Sequence, residues 1–407
     1  MPPVGLSLEY PVMAEDLGAG ACPAPALVTA LQQLGSPPLS LAGDSQDMTA
    51  PSGALGAPPP SWEAGTEYSL PADFWSQLHC LLTATGDPLT VGLNAKSGQP
   101  TWAAQMVAEA QSAATNGLDF SIGNEPDLYN LPNYAALGKR QPGEEAAAVN
   151  LYLAVAASLQ QALAGAPLIG PELATPAHWR NELPRVIAQL HEQTVGVHLY
   201  PLSACGSPKA VTIRGLLSAH AADAPASLAW VVADASAAQV PAIISESNSA
   251  SCGGVAGVSD SPAAAVWAVR FVLDALKTGF REVRFHLSGN AYDPFVVLGQ
   301  EVVDRPLDSA LIALNQWLPV GSSLHTVAGV RGLLATGVSE TSGSTLLILD
   351  NERAQAQALV LRGASSVRVQ TLSAARPGLQ TAQLSSIHRR IKISVAGNTV
   401  VAVSAAP

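Results

Sequence analysis

The chain has 407 residues, 48% of them hydrophobic, with 20 Lys/Arg against 31 Asp/Glu. That length fits a barrel of about 250–320 residues with a smaller module attached. Such apolar content excludes a disordered chain, and no run of 18 apolar residues suggests a transmembrane helix. The charge is uneven: residues 320–407 hold 8 Lys/Arg and 3 Asp/Glu, leaving 12 and 28 for residues 1–319. So acidic a first part argues against nucleic acid as a partner and against a long polyanion lying in a basic groove. The start, Met1-Pro2-Pro3-Val4, has neither a basic nor an apolar leader region, which suits a cytoplasmic protein or one whose leader has been removed.

Short β-rich runs alternate with helical patterns. The expected strands are Val4–Glu9, Leu39–Ala42, Leu89–Asn94, Leu118–Asn124, Ala166–Glu172, Thr194–Tyr200, Val240–Glu246 and Glu282–Ser288. Helical stretches fall at 23–34, 72–84, 101–115, 144–164, 178–192 and 262–277. Eight strands separated by helices imply parallel crossovers closing into a (β/α)8 TIM barrel over residues 1–319. After residue 320 the runs alternate with period two: Leu324–Val330, Leu333–Val338, Thr345–Leu349, Ala358–Leu361, Val367–Leu372, Ile391–Val395 and Thr399–Val403. With Gly and Asn turns between them, residues 320–407 read as a C-terminal all-β sandwich that supports the barrel. Residues 44–71, rich in Pro, Gly and Ser, read as a long loop forming one wall of the cleft.

Polar residues gather at the C-terminal ends of the expected strands, the end that carries the active site in barrel enzymes. They include Glu9, Asn94, Asn124, Glu125, Glu172, Tyr200, Glu246 and Ser288. Glu125 ends Phe120-Ser121-Ile122-Gly123-Asn124 on strand four, and Glu246 ends Ile243-Ile244-Ser245 on strand seven. Two carboxyl groups facing each other across a barrel mouth are what glycosidic bond cleavage needs. One protonates the leaving oxygen; the other attacks the anomeric carbon or activates water. Glu125 as acid/base should have its pKa raised, and Glu246 as nucleophile should stay ionised, with Tyr200 and Asn124 as donors. A retaining pair would stand about 5–5.5 Å apart. His198 and His286, inside strands six and eight, are expected beneath the site, with Asn94 beside it. His198 shares a face with Tyr200.

The ordered motifs resemble glycoside hydrolase family 79, the β-glucuronidase and heparanase family. They are Gly43-Asp44-Ser45-Gln46-Asp47, Val91-Gly92-Leu93-Asn94-Ala95, Gly123-Asn124-Glu125-Pro126 and Val197-His198-Leu199-Tyr200-Pro201. They continue through Glu246-Ser247-Asn248-Ser249, Cys252-Gly253-Gly254, Gly257-Val258-Ser259-Asp260, Phe285-His286 and Tyr292-Asp293-Pro294. The resemblance implies a retaining hydrolase of β-linked glucuronides, with no cofactor and no metal. It assigns Glu9 and Asp44 to sugar hydroxyls, Asn124 to the 2-hydroxyl, and Tyr200 to the nucleophile or the sugar. Ser251, Cys252, Gly253 and Tyr292 would receive the uronic acid carboxylate. The chain departs from the family at Ser251, where heparanase-like members have Tyr, and at Ser40 and Ala42 before the Gly43 turn.

The alternatives are a barrel glycosidase cutting a neutral β-glycan, and a non-catalytic carbohydrate-binding barrel. Lys96, Lys139, Arg140 and Lys209 are cleft-side candidates for an acidic aglycone, and Trp62 in the long loop for sugar stacking. Cys205 and Cys252 either form a disulfide beside the cleft or stay as free thiols. Cys22 and Cys80, placed at helices, are expected as buried thiols. A monomer is expected.

Overall fold

A computed structural model describes residues 2–54, 68–129, 144–328, 330, 332–387 and 390–405. Eight parallel strands close into a barrel: β1 (Val4–Glu9), β2 (Leu39–Ala42), β3 (Leu89–Leu93), β4 (Leu118–Ile122), β5 (Leu168–Leu173), β6 (Thr194–Leu199), β7 (Ala242–Ser247) and β8 (Val283–Leu287). They follow chain order around the barrel, and β8 returns to β1. Helices cover the outer face while side chains fill the inside, so most strand residues are buried, and the strands read as nearly continuous apolar runs. Proline opens several of the helices, at Pro25, Pro100, Pro262 and Pro306, where its missing N–H costs nothing and its fixed φ suits the first turn.

The expected strand positions agree with the structure to within about two residues at either end. The helical stretch at 178–192 is instead a 3-10 turn, Pro176–Trp179, followed by a helix, Leu183–Leu190. Three short helices between β6 and β7 and the helix Pro306–Trp317 after β8 were not foreseen. Nor was the hairpin Phe295–Leu298/Glu301–Asp304. The described residues within 44–71 are less irregular than expected: Asp44–Met48 form a 3-10 turn and Thr49–Ala50 pair with Tyr68–Ser69. Trp62, Lys139 and Arg140 lie outside the described residues. Among the described residues, one helical stretch, Glu145–Leu163, has the length and composition of a membrane span. Here it packs on the barrel through Val149, Tyr152, Ala156 and Leu159.

The C-terminal part is antiparallel: β9 (Ser323–Thr326), β10 (Leu334–Ser339), β11 (Thr345–Asn351), β12 (Gln357–Arg362), β13 (Ser366–Ser373), β14 (Arg376–Ser385), β15 (Arg390–Val395) and β16 (Thr399–Ala405). Six form one sheet, in the order β9-β10-β11-β16-β13-β14, and β12 pairs with β15 in a second. β14 was not foreseen; it is a largely exposed edge strand with little apolar alternation. The larger sheet shares the barrel's core through Val338, Leu346, Ile348, Leu372, Val400 and Ala402. Across the junction Arg270 chelates Asp350 at 2.8–3.1 Å, and the Trp317 indole donates to Gln370 Oε1 at 3.0 Å.

Two disulfides are present, Cys22–Cys80 and Cys205–Cys252. The first corrects the expectation of buried thiols. Cys22 lies in the exposed loop ahead of the helix that begins at Pro25, and Cys80 is only half-buried on the helix Phe74–Thr85. Their Cα atoms are 5.5 Å apart, within bridging range.

Candidate active site

The site stands at the C-terminal mouth of the barrel, where strand ends and irregular backbone aim side chains inward. Gly123 (φ 76°) turns the chain out of β4 and Glu125 (φ 52°) follows in the left-handed region, a conformation that costs a non-glycine residue about 1–3 kcal/mol. The Glu125 amide donates to the Glu172 carbonyl at 2.9 Å and so holds that turn. A register shift between β6 and β7 sets His198 opposite Glu246. At Gly43 (φ 74°) a Cβ would stand 2.5 Å from the Glu9 carboxylate, so only glycine lets the second loop close over Glu9.

One oxygen of Glu125 and one of Glu246 lie within 4.8 Å of each other, with a ring nitrogen of His198 in the same space. Glu246 is buried, whereas the Glu125 side chain is 20% exposed. The Tyr200 hydroxyl donates to Glu246 Oε1 at 2.9 Å, and His286 Nδ1 stands 3.5 Å from Oε2. His198 Nδ1 is 3.0 Å from Glu125 Oε1 and 3.7 Å from Glu246 Oε1. Its Nε2 is 3.1 Å from Glu172 Oε2. On the other side His286 Nε2 meets Glu9 Oε1 at 3.3 Å, and Glu9 accepts from the Asp44 and Ser45 amides at 3.1 and 2.7 Å.

Two imidazoles offset part of the carboxylate charge. Burial pushes the His286 ring towards neutrality, but Glu246 and Glu9 outweigh it and raise its pKa to about 9. Burial likewise opposes the charge on His198, and Glu246, Glu125 and Glu172 together raise it well above the usual imidazole range. Burial raises the Glu246 carboxyl, while both imidazoles oppose the rise. Glu246 was expected to stay ionised with Tyr200 and Asn124 as donors; Tyr200 does donate to it, but Asn124 donates to Asp44 instead, and Glu246 is the more buried member of the pair, flanked by two imidazoles. Glu9 is lowered, since the His286 and Ser45 contacts overcome its burial. Asp44 is raised by burial and then by Glu125 and Glu9.

Most of the expected residues converge here. A cleft of about 770 Å³ is lined by Glu9, Asp44, Glu125, Tyr200, Glu246, Ser251, Cys252, Gly253, His286 and Tyr292, among others. Asn124 lies buried beneath it and donates to Asp44 Oδ1 at 3.4 Å. Among the described residues, Asn124 Oδ1 and Glu246 Oε2 are buried with no hydrogen-bond partner. Asn94 does not join them: it donates to the Thr49 carbonyl and accepts from Ser97, building the loop after β3. Neither Lys96 nor the exposed Lys209 lines the cleft; Lys96 stands over the Tyr129 ring. The disulfide Cys205–Cys252 borders the cleft, as one of the two expected outcomes had it.

Sequence reasoning gave no role to three groups of the site. Ser288 shares a 2.8 Å hydrogen bond with the Tyr292 hydroxyl, and Asn290 lies beside it over Gly253. Fully buried Asp47 accepts from the amides of Ala95 and Asn124 and from the Tyr129 hydroxyl, tying loops two, three and four together. Only its nearness to Asp44 in the Gly43–Asp47 turn hinted at this. Glu172 stood among the strand-end residues but carried no role. A lone divalent ion could reach Glu125, His198 and Glu246, but both ring nitrogens of His198 are already at hydrogen-bond distance from carboxylates.

No protein-family model matches the chain, and no curated protein sequence matches it. Solved structures do resemble it throughout its length. One is a 4-O-α-L-rhamnosyl-β-D-glucuronidase from Fusarium oxysporum 12S, 18% identical, with TM-score 0.76, covering 99% of this chain and 96% of that one. Another is a family 51 arabinofuranosidase from Xanthomonas axonopodis pv. citri, at 12% identity and TM-score 0.67, covering 99% and 95%. A third is the catalytic domain of a family 30 xylanase from Talaromyces cellulolyticus, at 11% and 0.62, covering 100% and 97%. The chain therefore has the barrel-and-sandwich fold found in these glycoside hydrolases.

Proposed function

We propose that the protein is a retaining β-glycosidase with Glu246 as nucleophile and Glu125 as acid/base, acting on a β-linked glucuronide in the manner of glycoside hydrolase family 79. The observation that carries this reading is the Glu125–Glu246 pair, its oxygens within 4.8 Å at the ends of β4 and β7. Glu246 attacks the anomeric carbon as Glu125 protonates the leaving oxygen; Glu125 then draws a proton from the water that releases the sugar. Tyr200 and the two imidazoles hold Glu246 in place and offset its charge. Glu9, Asp44 and Asn124 offer acceptors to sugar hydroxyls. Tyr292, Ser288 and the Ser251–Gly253 loop form a rim of hydroxyl and backbone groups that suits a carboxylate without an arginine.

One observation favours a second reading, a neutral β-glycan: among the described residues, no Lys or Arg lines the cleft. Rates on aryl β-glucuronide, β-glucoside and β-xyloside decide between them. The glucuronide should be turned over fastest, with the β-anomer released first by NMR. Faster turnover of glucoside or xyloside would establish the second reading, and first release of the α-anomer would reject the retaining mechanism.

A further inference from the structure

Glu172 is a carboxylate at the mouth that neither lines the cleft nor has a part in the reaction as described. It is 5% exposed and stands within β5 in the left-handed region (φ 55°), where the register with β6 shifts. Its side chain runs inside the barrel, through space that Gly196 on β6 leaves open: a Cβ there would stand 2.8 Å from Glu172 Oε1. Two donors converge on Oε2, namely His198 Nε2 at 3.1 Å and, in a very short contact, the Ser245 hydroxyl of β7. The other ring nitrogen of His198 faces Glu125 Oε1 at 3.0 Å. The backbone repeats the link, since the Glu172 carbonyl accepts from the Glu125 amide. Main chain and side chain of one residue thus both bear on the acid/base carboxyl.

Building on the roles proposed above, we propose that Glu172 is a positioning residue for Glu125: through His198 it holds Glu125 Oε1 in a fixed contact, so that the transferable proton rides on Oε2. The ring donates Nε2–H to Glu172 and Nδ1–H to Glu125 Oε1. In the first step the Oε2–H bond breaks as its proton passes to the glycosidic oxygen, the C1–O bond breaks, and the Glu246–C1 bond forms. The carboxylate left on Glu125 faces an imidazolium whose own counter-charge is Glu172. In the second step Oε2 takes a proton from water as the water oxygen bonds to C1 and Glu246 departs. His198 keeps both protons throughout. The charged and titratable groups facing this relay are Glu125, Glu172 and Glu246 on His198, with His286 and Tyr200 beside Glu246 and Glu192 near Glu172.

The test is Glu172→Gln in the full chain. For a glycoside with an unactivated leaving group, kcat/KM should fall about 10- to 100-fold, while the dinitrophenyl glycoside, which needs little protonation, should keep most of its rate. The alkaline limb of kcat/KM should move down by about one pH unit, because His198 loses a carboxylate that favours its charged form. In 15N NMR the His198 ring should titrate correspondingly lower. Equal loss for both leaving groups, or an unmoved limb, would overturn the proposal. If Glu172→Gln does not fold, Ser245→Ala removes one donor from the same carboxylate and should move the His198 titration the other way, upwards; no movement there overturns it too. The titration needs no substrate. A wild type inactive on every glycoside would end the glycosidase reading, and an unchanged His198 titration would separately end this one.

Discussion

The two ends of the same eight strands carry charge in different ways. At the lower end, Arg284 on β8 lies buried inside the barrel with Nε 2.6 Å from Glu282. It also donates to Ser40 on β2 and to Thr90 on β3, at 2.8 Å for Thr90. Glu282 Oε2 is buried without a hydrogen-bond partner, and none of these groups lines the cleft. At the upper end, Glu9, Asp44, Glu125, Glu172 and Glu246 share two imidazoles; among the described residues, Asn124 Oδ1 and Glu246 Oε2 have no hydrogen-bond partner, though His286 Nδ1 stands 3.5 Å from the latter. Glu282 and Arg284 are 1% and 2% exposed, whereas the Glu125 side chain is 20% exposed and Asp44 is open to solvent. What separates the two clusters is the surplus of carboxylates that lines the cleft at the upper end.

The largest expected effect comes from removing that surplus. Glu246→Gln should lower kcat by about 10³-fold or more, as loss of a nucleophile does in other hydrolases, with the fold intact by circular dichroism. Glu125→Gln should cost about 10²- to 10⁴-fold with a poor leaving group and much less with a dinitrophenyl one. A uniform loss across leaving groups would mean that Glu125 is not the proton donor.

At the lower end the same kind of substitution should act on stability instead. Arg284→Met leaves Glu282 buried without its cation, a change that costs about 3–5 kcal/mol when one partner of a buried pair is removed. Denaturant melts should show that loss, while turnover per folded molecule stays near wild type. A fall in turnover with unchanged stability would erase the distinction drawn between the two ends.

Much of this contrast was legible in the sequence. The upper carboxylates follow apolar runs at strand ends, and a barrel turns that one-dimensional position into a shared mouth, so Glu9, Glu125, Tyr200 and Glu246 were readable without coordinates. Asp47, Asn290 and the relay role of Glu172 were not. Each depends on irregular backbone: a 3-10 turn after Gly43, a loop after β8, and a left-handed residue within β5. No periodicity marks such turns. Arg284 was hidden for the opposite reason: a charged residue inside an apolar strand says nothing about which hydroxyls two other strands will supply. The Cys22–Cys80 bridge was missed because a cysteine just ahead of a helix reads much like one within it.

The smallest expected effect is a pH window that only the upper end should show. The pKa of His286 is about 9 in the folded chain and near 6.5 when unfolded. A group raised in this way contributes stability that is complete below its unfolded value and is lost as pH climbs through the folded one. His198, raised by its own carboxylates, acts in the same direction. Thermal midpoints should therefore decline between about pH 6.5 and 9, and His286→Gln should flatten part of that decline while lowering the midpoint at pH 6. Glu9, lowered by His286, adds the opposite limb: its contribution is present above the usual carboxylate range and fades as pH falls. Arg284 stays charged throughout, so Arg284→Met should lower the melting curve at every pH without changing its slope between 6.5 and 9. If that slope followed Arg284 instead of His286, the lower cluster would be the titrating one and the comparison would be reversed.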